Sequence, residues 1–293
     1  MKVDMQAGRR LTAAVTVAGL ILMGGIGLTG CQTNPYTGRS QLLITSVDEE
    51  MKMGAQAYDQ IKGDPKVIVS QDPREVEPVK RVAARIIEAA KRSKYAEMAK
   101  QFQWEVKVIK DDKTANAFAL PGGKIAVYTG IFPMAKTEAG LAAVMGHEVV
   151  HALARHGAER MSQGRLTDAA LGVTGAAIGA GSQNPLLGQA TMAALGVGAK
   201  VGVLLPFSRK HESEADYVGI LMAADAGYDP RESIALWERM ARASGGGQAE
   251  FLSTHPSHGT RINQLRIWMQ EAMSIYQKRS PVPALVLPAI GGR

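Results

Sequence analysis

The sequence predicts an α+β fold, mainly helical, with a small sheet. Three observations carry that prediction. After residue 45, apolar residues recur at three- and four-residue spacing between capping signals. Trp104, Val106 and Val108 alternate with charged residues, the two-residue period of a half-buried strand. Two further short strands are expected at 115–120 and 124–128, joined by the turn Pro121-Gly122-Gly123. The 293 residues allow one or two domains, and 46% apolar with 21% charged residues excludes wholesale disorder. A single cysteine excludes an intrachain disulfide and a thiolate zinc finger, so a metal site would need His, Asp or Glu. The net charge of +7 comes without a basic stripe or motif, which argues against a nucleic-acid partner.

The elements follow in order. Lys2, Arg9 and Arg10, the apolar run Leu11 to Ile26, and Leu28-Thr29-Gly30-Cys31 read as a signal peptide over 1–30. Its last four residues resemble the lipobox of bacterial lipoproteins, which implies a lipid on Cys31 and a membrane anchor. The competing reading is a retained membrane helix, weakened by the glycines near Gly24. Gln32 after the cysteine implies, by resemblance to enteric-type sorting, the periplasmic face of the outer membrane. Residues 31–45 read as a polar tether. Ser46 and Glu49 form a capping box that opens a helix to about Lys62. Pro78 opens a second, with Val79, Val82, Ile86 and Ala90 on one face.

A long helix is expected from Thr137 to His156, stopped by Gly157. Residues 168–205 are Ala/Gly-rich around a break at Ser182 to Pro185. The stretch before the break is too short for a membrane span and both are poor in Leu, Ile and Phe, so they read as a helical hairpin. Helices follow over Arg209 to Ala226, from Asp229-Pro230 to about Ala243, and over Thr260 to Gln277, with a loop at Thr254 to His258. One domain thus covers 46–277, with an irregular tail at 278–293.

The chemistry lies in His147-Glu148-Val149-Val150-His151, an H-E-x-x-H on the Thr137 helix. Residues four apart share a helix face, so both imidazoles can address one ion. Glu148 stands beside them, placed to take a proton from an attacking water. Apolar flanks such as Ala142-Ala143-Val144-Met145 make this a buried helix, where two His and a Glu are costly unless paired or metal-bound. Ala154 and Gly157 stand where the metzincin pattern needs Gly and His, so that class is excluded. His156 should point away from the pair and interact with the helix dipole. Downstream, Glu212 and Asp216 share a face in an E-x-x-A-D. This suits one carboxylate on a metal and a second on a ligand imidazole. Glu214 is expected to face solvent.

Taken with Ala226-Gly227-Tyr228-Asp229-Pro230, Thr254-His255-Pro256 and Arg261-Ile262, these motifs resemble the zinc metallopeptidase family of the CAAX prenyl protease, HtpX and the Oma peptidases. The lipobox and the Asn34-Pro35-Tyr36-Thr37-Gly38-Arg39 start are similar to its bacterial lipoprotein branch, LoiP-like and BepA-like. The resemblance covers about residues 34 to 270. It implies a zincin-type domain with the sheet beside the active-site helix, and one zinc per chain on His147, His151 and Glu212. It further implies Glu148 as general base, Asp216 behind a ligand, and His255 and Arg261 near the zinc or the oxyanion. Asn116-Ala117-Phe118-Ala119 would be the strand that pairs with substrate. The function it implies is a membrane-anchored zinc endopeptidase of the bacterial cell envelope, acting on misfolded or misassembled envelope proteins. A homo-oligomer or an outer-membrane protein complex is compatible with it. The rival reading is an envelope chaperone or assembly factor with a latent metal site.

Overall fold

The structure is a computed structural model that describes residues 31–170, 207–243, 251, 255 and 259–290. The signal segment 1–30 lies outside the described residues, as does the Ala/Gly-rich stretch apart from the helical backbone of 168–170. Strands β1 (Cys31–Thr33) and β2 (Ser40–Leu42) pair antiparallel. The expected tether is therefore a hairpin built into the domain. Its polar side chains turn inward: Asn34 Oδ1 accepts from the Tyr36 and Thr37 N–H groups, its Nδ2 donates to the Tyr95 hydroxyl, and Gln41 Nε2 donates to the Ala154 carbonyl. Polar composition signalled solvation here, whereas these residues satisfy buried hydrogen bonds.

Helix α1 (Val47–Gly63) begins with the expected capping box between Ser46 and Glu49. Helix α2 (Pro73–Arg92) starts before Pro78. Asp72 caps it through the Arg74 N–H with Pro73 in the first turn, and Pro78 lies inside the helix. Two prolines competed for one start, and the one preceded by a capping Asp prevails. Its face of Val79, Val82, Ile86 and Ala90 is buried as the spacing requires. After α3 (Ala96–Gln101) come β3 (Glu105–Ile109), β4 (Ala117–Leu120) and β5 (Lys124–Tyr128). Their order is β3-β5-β4, with β3 parallel and β4 antiparallel to β5, so β4 stands at a sheet edge. The β4–β5 turn holds Gly122 and Gly123 at φ of 83° and 82°, a region that disfavours residues with a Cβ.

Helix α4 (Phe132–Ala135) leads to the central helix α5 (Glu138–Leu153), capped by Thr137 and buried along its whole length. Helices α6 (His156–Ala170), α7 (Arg209–Asp225), α8 (Arg231–Ala243) and α9 (Gly259–Tyr276) follow. α5 packs against α7, α2, α8 and β4. Each large apolar side chain it buries, among them Leu141, Val144, Met145 and Val149, contributes roughly 1.5–3 kcal/mol. Where α5 crosses α7, Gly146 faces Gly219. A Cβ on Gly219 would lie 3.0 Å from the His147 backbone nitrogen, and one on Gly146 would lie 2.9 Å from the Gly219 carbonyl oxygen. The tail has no regular element, yet Val282 N–H donates to Gly227 and Leu287 N–H to Lys136. Among the described residues no helix is long and apolar enough to cross a membrane.

α5 does not run on to His156. Ala154 ends it and Arg155 adopts a left-handed φ of 58°, after which α6 begins. The bend is held by burial of the Arg155 side chain. Its Nε and Nη2 donate to the two Glu50 oxygens at 3.0 and 2.6 Å, Nη2 also to the Thr45 carbonyl, and Nη1 to Gln32 Oε1.

Candidate metal centre

α5 places His147 and His151 on one face with ring centroids 4.7 Å apart. α7 starts at the cap Ser208, whose hydroxyl accepts from the His211 N–H, and so presents Glu212 in its first turn. His255 reaches the same point from the segment between α8 and α9, its ring stacked on Phe251 and Phe207. His147, His151, Glu212 and His255 each offer one donor atom, all within 4.8 Å of one another and all buried. Their separations are 3.1 Å between the His147 and His151 Nε2 atoms, 3.2 Å from His147 Nε2 to His255 Nδ1, and 3.0 Å from His255 Nδ1 to Glu212 Oε1. Each of the first two imidazoles also lies 3.5 Å from a Glu212 oxygen. The edge of a tetrahedron with arms of about 2.0–2.1 Å is about 3.3 Å, so these spacings are those of one small ion's coordination sphere.

Charge gives a second test. With neutral imidazoles, the carboxylates Glu148, Glu212 and Asp216, on residues no more than 3% exposed, outnumber the cations that act on them, Arg261 and Arg160. This excess of buried negative charge favours a bound cation, since buried charge left unbalanced is expensive. The surroundings of each titratable group point the same way. Burial alone would lower the His147 pKa, but Asp216 and Glu212 outweigh it and raise it to about 9. In Glu212 burial works upward, and the charges of His255 and Arg261 overcome it to hold the carboxyl well below its usual range. Burial, then the charge on His147, push His151 well below its usual value. The cluster thus draws in positive charge while keeping a second imidazole neutral. The donor set fits a divalent ion.

Three further predicted residues surround it. Asp216 Oδ1 lies 3.0 Å from His147 Nδ1, the nitrogen turned away from the donor cluster. Glu148 is buried with its pKa raised by burial. Its Oε1 has no hydrogen-bond donor among the described residues and lies 3.4 Å from His255 Nε2. Arg261, expected near an oxyanion, is engaged otherwise. Its Nε and Nη2 donate to Asp216 at 2.6 Å each, and Nη1 lies 2.7 Å from Glu212. Its guanidinium carbon also sits 3.6 Å from the Trp237 ring centroid. Arg261 therefore holds the two carboxylates in place. Ala117, Phe118 and Ala119 lie on edge strand β4 and Asn116 just before it. A small cavity lined by Ala119, Pro121, His151, Arg155 and Phe207 separates the end of that strand from His151.

Two sequence expectations fail here. His156 does not point away: the bend at Arg155 turns its Nδ1 to 2.9 Å from His151 Nδ1. Glu214 does not face solvent: it is 4% exposed, accepts from Thr37 and Arg39, and lies 3.0 Å from His156 Nε2. Sequence reasoning also missed His211 and Glu159, 3.1 Å apart and buried, with the His211 ring stacked on His156. Helical spacing could not find these contacts, because their partner Arg39 comes from the hairpin.

Comparison with known proteins agrees with this geometry. The mitochondrial metalloendopeptidase OMA1 of Schizosaccharomyces pombe is 38% identical over 258 residues, which cover 86% of this chain and 71% of the relative. Human OMA1 is 32% identical over 84% of this chain and 47% of its own length. The beta-barrel assembly-enhancing protease of Escherichia coli K12 is 29% identical over 80% and 46%. The expected location on the periplasmic face of the outer membrane is corrected by these relatives. Those with the higher identities are named as mitochondrial proteins, and nothing in the described residues marks an outer-membrane lipoprotein. The inference from Gln32 rested on one sorting rule borrowed from enteric bacteria, and it does not outweigh similarity over most of the chain. The resemblance drawn from the motifs does hold, and with it the zincin-type, mainly helical fold and the assignment as a metalloendopeptidase. The model of Peptidase family M48 matches residues 73–269, from the start of α2 into α9, and the chain belongs to that family.

Proposed function

We propose that the chain is a zinc-dependent endopeptidase that cleaves unfolded or misassembled proteins. The observation that carries the metal assignment is the spacing of the His147, His151, Glu212 and His255 donors at 3.0–3.5 Å. Neutral imidazoles with one carboxylate suit zinc better than the harder calcium or magnesium ions. Zinc, when bound, supplies Lewis acidity toward the scissile carbonyl and activates water for attack. The protein supplies the rest. Glu148 accepts the proton of the attacking water on its unpartnered Oε1 and returns it to the leaving amine. Asp216 fixes the His147 tautomer, and Arg261 fixes Asp216. Strand β4 would hold an extended substrate by main-chain hydrogen bonds, a mode that reads backbone and so favours unfolded chains over particular sequences. A relative named for β-barrel assembly supports substrates among misassembled membrane proteins. A lipid on Cys31, the first residue of β1, would hold the domain against a membrane.

The test is elemental analysis and casein cleavage for the wild type and Glu148→Gln. The variant should keep its zinc and lose cleavage, and full activity would sink the mechanism. Rescue of a deletion phenotype by Glu148→Gln would favour the chaperone reading instead. Release from membranes in Cys31→Ala would support the lipid anchor.

A further inference from the structure

His151 turns Nε2 toward the donor cluster, so that nitrogen must keep its lone pair for an ion and the proton resides on Nδ1. The only acceptor the described contacts place there is the imidazole of His156, Nδ1 to Nδ1 at 2.9 Å. His156 must then accept at Nδ1 and carry its own proton at Nε2, which lies 3.0 Å from Glu214 Oε2. The direction of donation is fixed all along the line, from His151 to His156 to Glu214. Glu214 is fixed in turn: Arg39 donates to it through Nε at 2.9 Å and Nη2 at 2.8 Å, and the Thr37 hydroxyl adds a third bond. The other face of the Arg39 guanidinium is held by Glu159 at 2.6 and 2.8 Å. Glu159 is also bound by Gln41 Nε2 at 3.0 Å and His211 Nε2 at 3.1 Å.

We propose that His156 and Arg39 are positioning residues for the ligand His151. The N-terminal hairpin, through Arg39 and Glu214, would thereby complete the metal centre from outside the H-E-x-x-H helix. This rests on the reading of the cluster as a zinc site. The arrangement differs from that on His147, where a carboxylate meets the outer nitrogen directly. On His151 a neutral imidazole is interposed, and the carboxylate that polarises it is oriented by a residue of another element. Such outer partners fix ring orientation and raise ligand basicity, and their loss typically costs 10- to 100-fold in metal affinity.

The experiment measures the zinc dissociation constant by competition with a chromogenic chelator, together with the visible spectrum of the cobalt-loaded protein. Thermal unfolding of the metal-free protein serves as a control. His156→Leu removes the acceptor and should weaken zinc by roughly 10- to 100-fold and alter the cobalt spectrum. His156→Asn can return an acceptor oxygen near the original Nδ1 and should recover most of that affinity. Glu214→Gln keeps the shape of the line, weakens its end, and should fall between them; it also serves if His156→Leu does not fold. Arg39→Ala should weaken zinc, with partial recovery in Arg39→Lys. Wild-type affinity and spectrum in His156→Leu would overturn the proposal. So would equal losses in His156→Leu and His156→Asn that follow the metal-free unfolding temperature, since packing alone would then explain them. Failure of the wild type itself to bind zinc would refute the metal-site reading and this proposal with it.

Discussion

Replacing Arg155 with Met tests what holds the bend between α5 and α6. The guanidinium is 6% exposed and makes two bonds to Glu50, itself 2% exposed, as well as bonds to the Thr45 carbonyl and Gln32. Met fills a similar volume and keeps a Cβ at the φ of 58°, so the backbone strain is unchanged and what is removed is the charge together with its hydrogen bonds. Glu50 would keep the Thr45 hydroxyl as its donor and lose its counter-charge in a buried site. Removing one member of a buried pair costs about 3–5 kcal/mol. At roughly 2–4 °C per kcal/mol for a chain of this size, the unfolding temperature should fall by roughly 6–20 °C. Urea denaturation would give the free energy. The double variant Glu50→Leu with Arg155→Met removes both charges and should recover most of the loss. A single-variant loss below about 1 kcal/mol, or a double variant as unstable as the single, would refute the account of the bend.

Four other outcomes are expected. Glu148→Gln should retain zinc by elemental analysis and show no casein cleavage. His147→Ala and Glu212→Gln should each lose zinc, since each removes one of the three donors carried on the packed helices α5 and α7. His255→Ala leaves three donors, which suffice for a catalytic ion with one open position; it should keep zinc and raise basal cleavage of an unfolded substrate. Glu159→Gln should flatten the acid side of the stability curve. Burial alone would raise the Glu159 pKa, but the bonds from His211, Arg39 and Gln41 hold it far below the usual range. Its stabilisation is complete above about pH 4.5 and is lost as pH falls below that, so the wild type should weaken there more steeply than the variant in urea titrations at successive pH values.

The parts of the site that follow helical periodicity were legible in the sequence. His147 and His151 recur at one helical turn, and Glu212 and Asp216 likewise, so each pair reaches the centre from its own helix. β3 was legible from the alternation of Trp104, Val106 and Val108 with charged residues, and β4 and β5 as short segments either side of the Pro121-Gly122-Gly123 turn, all of them local signals. What escaped depends on a break that carries no signal. Arg155 takes a conformation usually left to glycine, and it does so because Glu50, more than a hundred positions earlier, binds its guanidinium. A continuous helix sends His156 away from His151, and the bend brings it back. The hairpin escaped for a related reason. Polar residues such as Asn34 and Gln41 look solvated until their partners Tyr95 and Ala154 are known. Pro78 misled because a proline can stand inside a helix when the cap lies at Asp72.

The contact of Gly146 with Gly219 acts as a gauge on the ion. It lets the backbone of α7 come within about one methyl group of the His147 main chain, and Glu212 stands two turns before Gly219 on the same helix. Zinc sites tolerate bond-length deviations of about 0.2 Å. A methyl at 3.0 Å from the His147 nitrogen would ask the facing backbone to give by a few tenths of an ångström, the same scale as that tolerance. Two hydrogen atoms in place of two methyl groups thus set how near the helix that carries Glu212 can stand to the helix that carries both imidazoles.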